Sequence, residues 1–307
     1  MTLSLISMHL FKSGYAALVC LVFLGAFENS MPTLMDAWLI RSTKEISVYA
    51  SVRSFASLAF ASCSLLLGNL VGRWGYSTIP VLAVCILMVT IYLLLKIESH
   101  NSDHVIELWK PEPMKPRTLF SSWMVLALGF GFVLLPFGQI LPLLVTGSNL
   151  SQGWIGIMTG MTSIFQFLSL RMYHKVDSLN DDLKVTIGLA AYVIGLFLCQ
   201  NKSITSLLLS QVFFGSGYGI LFPTLKGLIV KQSDDADTRQ KLIISDLMIF
   251  SISPLLASIA FGWAINNLGI DGIIIGLVTI LLATAALYLG QNIFKGGKKH
   301  GIKQTRN

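Results

Sequence analysis

The feature that most constrains this chain is its division into apolar blocks of about the length that crosses a lipid bilayer, set off by short segments that collect its charge. The blocks run roughly over 14–40, 47–71, 77–95, 119–146, 152–170, 185–199, 204–230, 242–265 and 272–294. A bilayer core is spanned by about 20 apolar residues in helical form. The expectation is therefore an all-α polytopic membrane bundle of about nine transmembrane helices. Composition agrees. Hydrophobic residues make up 54% of the chain and charged residues 12%, with a mean hydropathy of +0.71. Soluble domains carry about 25% charged residues, so this chain has too little polar surface to cover a water-soluble globule.

The net charge of +7 does not indicate a nucleic-acid partner, because the basic residues form no patch with interleaved aromatics. They fall between blocks and they alternate. One set of sides holds Arg41, Lys44 and Arg53; Lys96, Lys110, Lys115 and Arg117; Arg171, Lys175 and Lys184; Lys226, Lys231, Arg239 and Lys241; and the tail Lys295, Lys298, Lys299, Lys303 and Arg306. The other set holds Lys12, Arg73 and Lys202. Basic residues accumulate on the cytoplasmic side, which predicts a cell-membrane protein with its C-terminus inside and, with nine spans, its N-terminus outside. The first block has only Lys12 as a basic region and no A-x-A site, so it reads as a span rather than a cleaved signal peptide. Cys20, Cys63, Cys85 and Cys199 each lie within an apolar block without metal-ligand spacing and read as buried packing residues.

The longest inter-span segment, 96–118, contains Pro111, Pro113 and Pro116. It divides the chain into a partial N-terminal bundle of three spans (1–95), a cytoplasmic loop (96–118), a six-helix bundle (119–294) and a basic cytoplasmic tail (295–307). Three spans before such a linker and six after it are expected of a twelve-helix protein lacking its first three helices, a deficit on the order of 90 residues.

Several motifs resemble the major facilitator superfamily, transporters of two six-helix bundles joined by a cytoplasmic loop. Asp36-Ala37-Trp38 followed by the run Tyr49 to Ala56 is similar to the junction of the fourth and fifth helices in the lactose permease-like branch of oligosaccharide and nucleoside proton symporters. Gly68-Asn69-Leu70-Val71-Gly72-Arg73-Trp74-Gly75 echoes the superfamily's G-x-L-x-x-R-x-G turn. Gly262-Trp263 through Gly269 resembles the turn between its last two helices. The loop Arg171 to Asp177 is a degraded form of the conserved turn. The resemblance implies that the spans are family helices four to twelve, and that Asp36 and Arg53 stand at substrate-binding positions.

Read as helices, the spans carry three signals. Ala50, Ser54, Ser57, Ala61, Ser64 and Gly68 recur at spacings of 4 and 3, forming one small-residue seam; Gly153, Gly156, Gly160 and Ser163 form another. Small seams allow close helix approach in lipid, as static packing or as a sliding contact between halves. Gly129, Gly131, Pro136, Gly138 and Pro142 in the fourth span, and Gly215, Gly217, Gly219 and Pro223 in the seventh, predict broken, cavity-lining helices, with Gln139 and Tyr218 as polar contacts for a solute. Ionisable residues within spans need a reason, since each costs roughly 2.5–3.5 kcal/mol on insertion scales. Glu28, near the middle of the first span, is the candidate proton-coupling group, with a neutral hydrogen-bonded acid as the alternative. Asn29, Pro32 and Asp36 share a helical face. Asp36 and Arg53 both fall roughly 6–9 Å deep and are placed to meet as a carboxylate–guanidinium pair. A planar donor fork beside carboxylate acceptors suits hydroxyl-rich ligands; a structural ion pair is the alternative. Asp246 reads as a helix-packing residue at the cytoplasmic end.

No nucleophile elbow, zinc-protease, Walker or dinucleotide fingerprint stands in a loop context, so no enzyme, cofactor or metal site is expected. The leading reading is a monomeric secondary transporter moving a small hydrophilic, sugar- or nucleoside-like solute by alternating access, with protons as the coupling ion. Alternatives are a drug or metabolite exporter by proton antiport, against which Ser62 to Gly68 lacks a G-P-x-x-G-G pattern, and a truncated, non-transporting membrane protein. The charge alternation predicts that in a cysteine-accessibility scan a probe at Lys12 labels from outside and one at Arg306 from inside; labelling of both from one side would overturn the span count.

Overall fold

The structure, a computed structural model, describes residues 35–40, 45–74, 78–96, 121–151, 153–232 and 235–304, together with Thr33 and Thr43; at some of these positions, including Gln139 and 293–304, only the backbone is described. The described residues are helical apart from short turns and caps and contain no strand. After a short helical segment at 35–40, the helices are α1 (Ile46–Trp74), α2 (Thr78–Lys96), α3 (Ser122–Gly147), α4 (Gly153–Arg171), the single turn α5 (Tyr173–Val176), α6 (Asp181–Gln200), α7 (Ile204–Lys231), α8 (Asp235–Leu247) and α9 (Ser253–Gln304), with a π-helical turn, Met248–Ile252, joining α8 to α9.

Among the described residues, five helical paths are long and apolar enough to cross a membrane: Ile46–Leu70, Gly153–Arg171, Asp181–Gln200, Ile204–Lys231 and Lys241–Asn292. Shorter apolar stretches, Val81–Leu93 and Ser122–Leu134, lie within α2 and α3. The expected block at 14–40 lies outside the described residues except for its end. The blocks at 242–265 and 272–294 fall on one path, which bends at Gly269, where φ is 66° and ψ −176°. That conformation is open to glycine because it lacks a Cβ. The short block at 185–199 extends into both flanks, because Asn180 caps α6 by accepting the backbone N–H of Asp182, as expected of an N-cap asparagine.

Exposed positions are dominated by large apolar side chains, among them Leu66, Val81, Met88, Leu255, Ile259 and Leu287. A surface of this kind suits a lipid surround, where apolar exposure carries no cost. The cysteines are only partly as expected. Cys199 is buried, but Cys63 is half-buried and Cys85 exposed, which an apolar medium tolerates. Cys20 lies outside the described residues.

Contacts group the chain into one unit of 1–30 and 70–119 and another of 31–69 and 120–307. This partition runs through α1 instead of following the 96–118 linker. In the described part of the first unit, α2 exposes nearly all of its large apolar side chains. The second unit is built around α7, which packs on α4 and α6, while α3 packs on α9.

The glycines of α3 and α7 do not break these helices. Both run continuously, α7 through a buried Pro223. A Cβ on Gly215 or Gly219 would run into α4 at Thr162 or Ser169, and one on Gly217 would meet Tyr192 of α6. The glycine run is thus a two-sided packing surface that lets α7 sit close to both neighbours at once. The two small seams found in the sequence also meet. A Cβ on Gly156 would lie 2.9 Å from the Ser64 carbonyl oxygen and 3.1 Å from Gly68 Cα, so α1 and α4 touch backbone to backbone.

The π turn has a local cause. Pro254 follows it, and a proline ring clashes with the carbonyl four residues earlier, here that of Phe250; widening the helix by one residue removes the clash. The widened turn lies against α3 at Gly131, where a Cβ would come within 2.8 Å of Ile249 Cα. Replacing Gly156 by Leu is expected to cost about 1–3 kcal/mol through overpacking, read as a lower melting temperature in detergent. Gly138→Ala, where a Cβ meets nothing within 4 Å, is expected to leave the melting temperature unchanged or higher.

Candidate functional site

Helix α1 presents Tyr49 and Arg53 one turn apart, facing the segment that carries Asp36. Arg53 Nε lies 3.3 Å from Asp36 Oδ1, with the arginine side chain 22% exposed and the aspartate 5%. The two residues that sequence depth brought to one level therefore form an ion pair. Tyr218 of α7 faces the same pair, close enough to interact electrostatically with both Arg53 and Asp36. Of the expected site residues, Asp36, Arg53 and Tyr218 thus come together. Glu28 and Asn29 lie outside the described residues, as does the side chain of Gln139.

Helix α7 supplies the floor of the site. Phe214, Tyr218, Phe222 and Lys226 recur every four residues and share one face. Tyr218 and Phe222 stack with centroids 5.0 Å apart and planes 13° from parallel. Phe130 of α3 lies 5.9 Å from Tyr218, and Phe250 of the π turn 6.0 Å from Phe222. At the other end Phe214 contacts Phe137 and Tyr192. Arg53 lies over the Phe222 ring at 5.8 Å, within the range of cation–π attraction.

The same ring carries a second cation that sequence reasoning misplaced. Lys226 was expected to contribute to the basic side at the end of the block 204–230. It is instead completely buried, with its ammonium 5.1 Å from the Phe222 centroid. It forms an ion pair with Asp246 of α8 and donates to the Ser245 hydroxyl at 3.1 Å. Asp246 does pack helices, as its position suggested, but as the partner of a buried lysine. The available signal was the four-residue spacing from Phe214 to Lys226, which places the lysine on the buried face. Two buried side-chain atoms of this cluster, the Tyr49 hydroxyl and Asp246 Oδ2, have no hydrogen-bond partner among the described residues.

A further ionic group joins the ends of α6 and α7. Lys184 pairs with Asp177 at 3.4 Å and Asp181 at 3.1 Å, and Lys231 reaches Asp181 at 2.7 Å. Beside it, Arg171 donates to the Ser51 hydroxyl at 2.5 Å and lies over Phe55, while Tyr173 packs with Leu170 on Ala50. The Arg171 to Asp177 turn therefore contacts α1. No group of side chains suited to a metal ion occurs among the described residues.

No protein-family model matches the sequence, and no curated protein is significantly similar to it.

Removing one member of a buried ion pair strands the other, at about 3–5 kcal/mol, whereas replacing both with apolar groups of similar volume is close to neutral. Lys226→Met is expected to lower stability by that amount, and Lys226→Met combined with Asp246→Leu to recover most of it, measured as folded fraction against denaturant in detergent.

Proposed function

We propose that this chain is a secondary transporter of the major facilitator type, moving a small hydrophilic, sugar- or nucleoside-like solute across the cell membrane by alternating access, with proton coupling and a cytoplasmic C-terminus. The observation that carries the reading is the Asp36–Arg53 pair, 3.3 Å apart, with Tyr218 of α7 beside it. A guanidinium offers a planar fork of donors, and the carboxylate and phenol beside it offer acceptors and one donor. Such a set matches the mixed donor and acceptor groups of a polyhydroxylated ligand. The arrangement has no nucleophile–base pair, so it supports binding in preference to chemistry. The motif resemblance at Asp36-Ala37-Trp38, at Tyr49 to Ala56 and at Gly68 to Gly75 supports the same assignment.

The partial exposure of Arg53, against the near-complete burial of Asp36, also suits a binding role. A ligand must reach one member of the pair, and Arg53 is the member with access. Arg53→Ala is expected to reduce uptake of sugar and nucleoside probes by about 10-fold or more, the equivalent of a lost charge-assisted hydrogen bond, with the protein still present in the membrane fraction. Arg53→Lys is expected to restore little, since an ammonium lacks the fork geometry. Normal uptake by Arg53→Ala would refute the site.

A further inference from the structure

The Lys226–Asp246 pair lies outside the solute pair just described, yet it occupies the same aromatic ring. Arg53 and Lys226 lie 5.8 and 5.1 Å from the Phe222 centroid, so the two cations share one ring. Each holds a different carboxylate. The lysine side chain is 0% exposed and the aspartate 1%. Asp246 uses only one oxygen on Lys226; Oδ2 is buried with no hydrogen-bond partner among the described residues, and so is the neighbouring Tyr49 hydroxyl. A fully desolvated carboxylate with one free oxygen is built to accept a proton. Protonation satisfies that oxygen and removes a charge that a low-dielectric site disfavours. A metal cation is a poor alternative, because the ammonium already faces Asp246 and Na⁺ needs several oxygen ligands.

Among the described residues, the ionisable groups around Asp246 are few. Helix α7 contributes Lys226 and Tyr218, α1 contributes Arg53 and Tyr49, the 35–40 segment contributes Asp36, and α8 itself carries the buried Lys241 one turn and a residue earlier. Helix α3 and the π turn present only Phe130, Phe250 and other uncharged side chains to this region. Resting on the transporter reading above, we propose that Asp246 is the proton-carrying group and Lys226 its counter-ion. A proton taken from water on one side forms an O–H bond at Oδ2, the ion pair with Lys226 is lost, and the freed ammonium bears on Phe222, whose ring also holds Arg53. Release of the proton on the other side restores the pair. Proton and solute thereby act on one shared aromatic side chain.

The test uses the full-length protein in two measurements. Infrared difference spectra between acid and alkaline pH are recorded for the wild type and for Asp246→Asn combined with Lys226→Gln, which keeps the volumes and strands no charge. The expected result is a protonated-carboxyl band in the wild type that is lost in the double variant. The same band in both proteins, or none in the wild type, overturns the proposal. In proteoliposomes, lactose and uridine serve as probes. Accumulation driven by an imposed pH gradient is expected to fall from several-fold above equilibrium to equilibrium in the double variant, with counterflow kept within about twofold of the wild type. Undiminished accumulation overturns the proposal. An Asp246-dependent band in a protein that moves neither probe supports the proton site and counts against the transporter reading instead.

Discussion

Close backbone contact at helix α7 is the constraint from which the rest of the second unit follows. In lipid, apolar side chains gain nothing by leaving the solvent, so helices associate through packing and polar contacts. Gly215, Gly217 and Gly219 clear two opposite faces of α7 within a single turn and a half, and α4 and α6 close on it from both sides. A hydrogen bond from Thr162 to Gln211, 2.7 Å long, pins the first of these contacts. With α7 fixed between its neighbours, the remaining face is the ladder Phe214, Tyr218, Phe222, Lys226, and it turns toward α1, α3 and α8. Among the described residues, Asp36, Arg53, Lys226 and Asp246 gather at that ladder, the face of α7 not committed to glycine packing, while the buried Lys184 lies apart from it on α6.

Much of this was legible in the sequence. Block length gave α1, α2, α3, α4 and α7 to within a few residues, because a bilayer-spanning helix has a length and an apolar content that few other elements share. The Asp36–Arg53 contact followed from counting depth on two consecutive helices that run in opposite directions. The two small-residue seams met because both were long and regular enough to define a face.

The remainder was hidden for identifiable reasons. Lys226 sits near the end of an apolar block, and a count of basic residues by position cannot tell a loop lysine from one on the buried face of a helix that continues to Lys231. Its partner Asp246 is 20 residues away on the next helix, and nothing local in either segment announces the other. Glycine and proline in α3 and α7 suggested interrupted helices, because each residue type weakens the helix in isolation. Here the neighbouring backbones supply the contact that compensates. The widened turn at Met248–Ile252 depends on a proline that lies beyond it, so the composition of the turn itself gave no sign.

That widened turn also fixes the phase between two stretches of one helical path. A residue inserted into an α-helix advances everything after it by about 100°, and the π turn contains one such extra residue between Asp246 and Ser253. The side of α8 that reaches Lys226 and the side of α9 that meets α3 are thus set by separate counts, like two scales of a vernier. Removing a single residue there would leave the chain helical and its composition almost unchanged, yet it would point Asp246 and the whole of α9 in directions that no longer belong together.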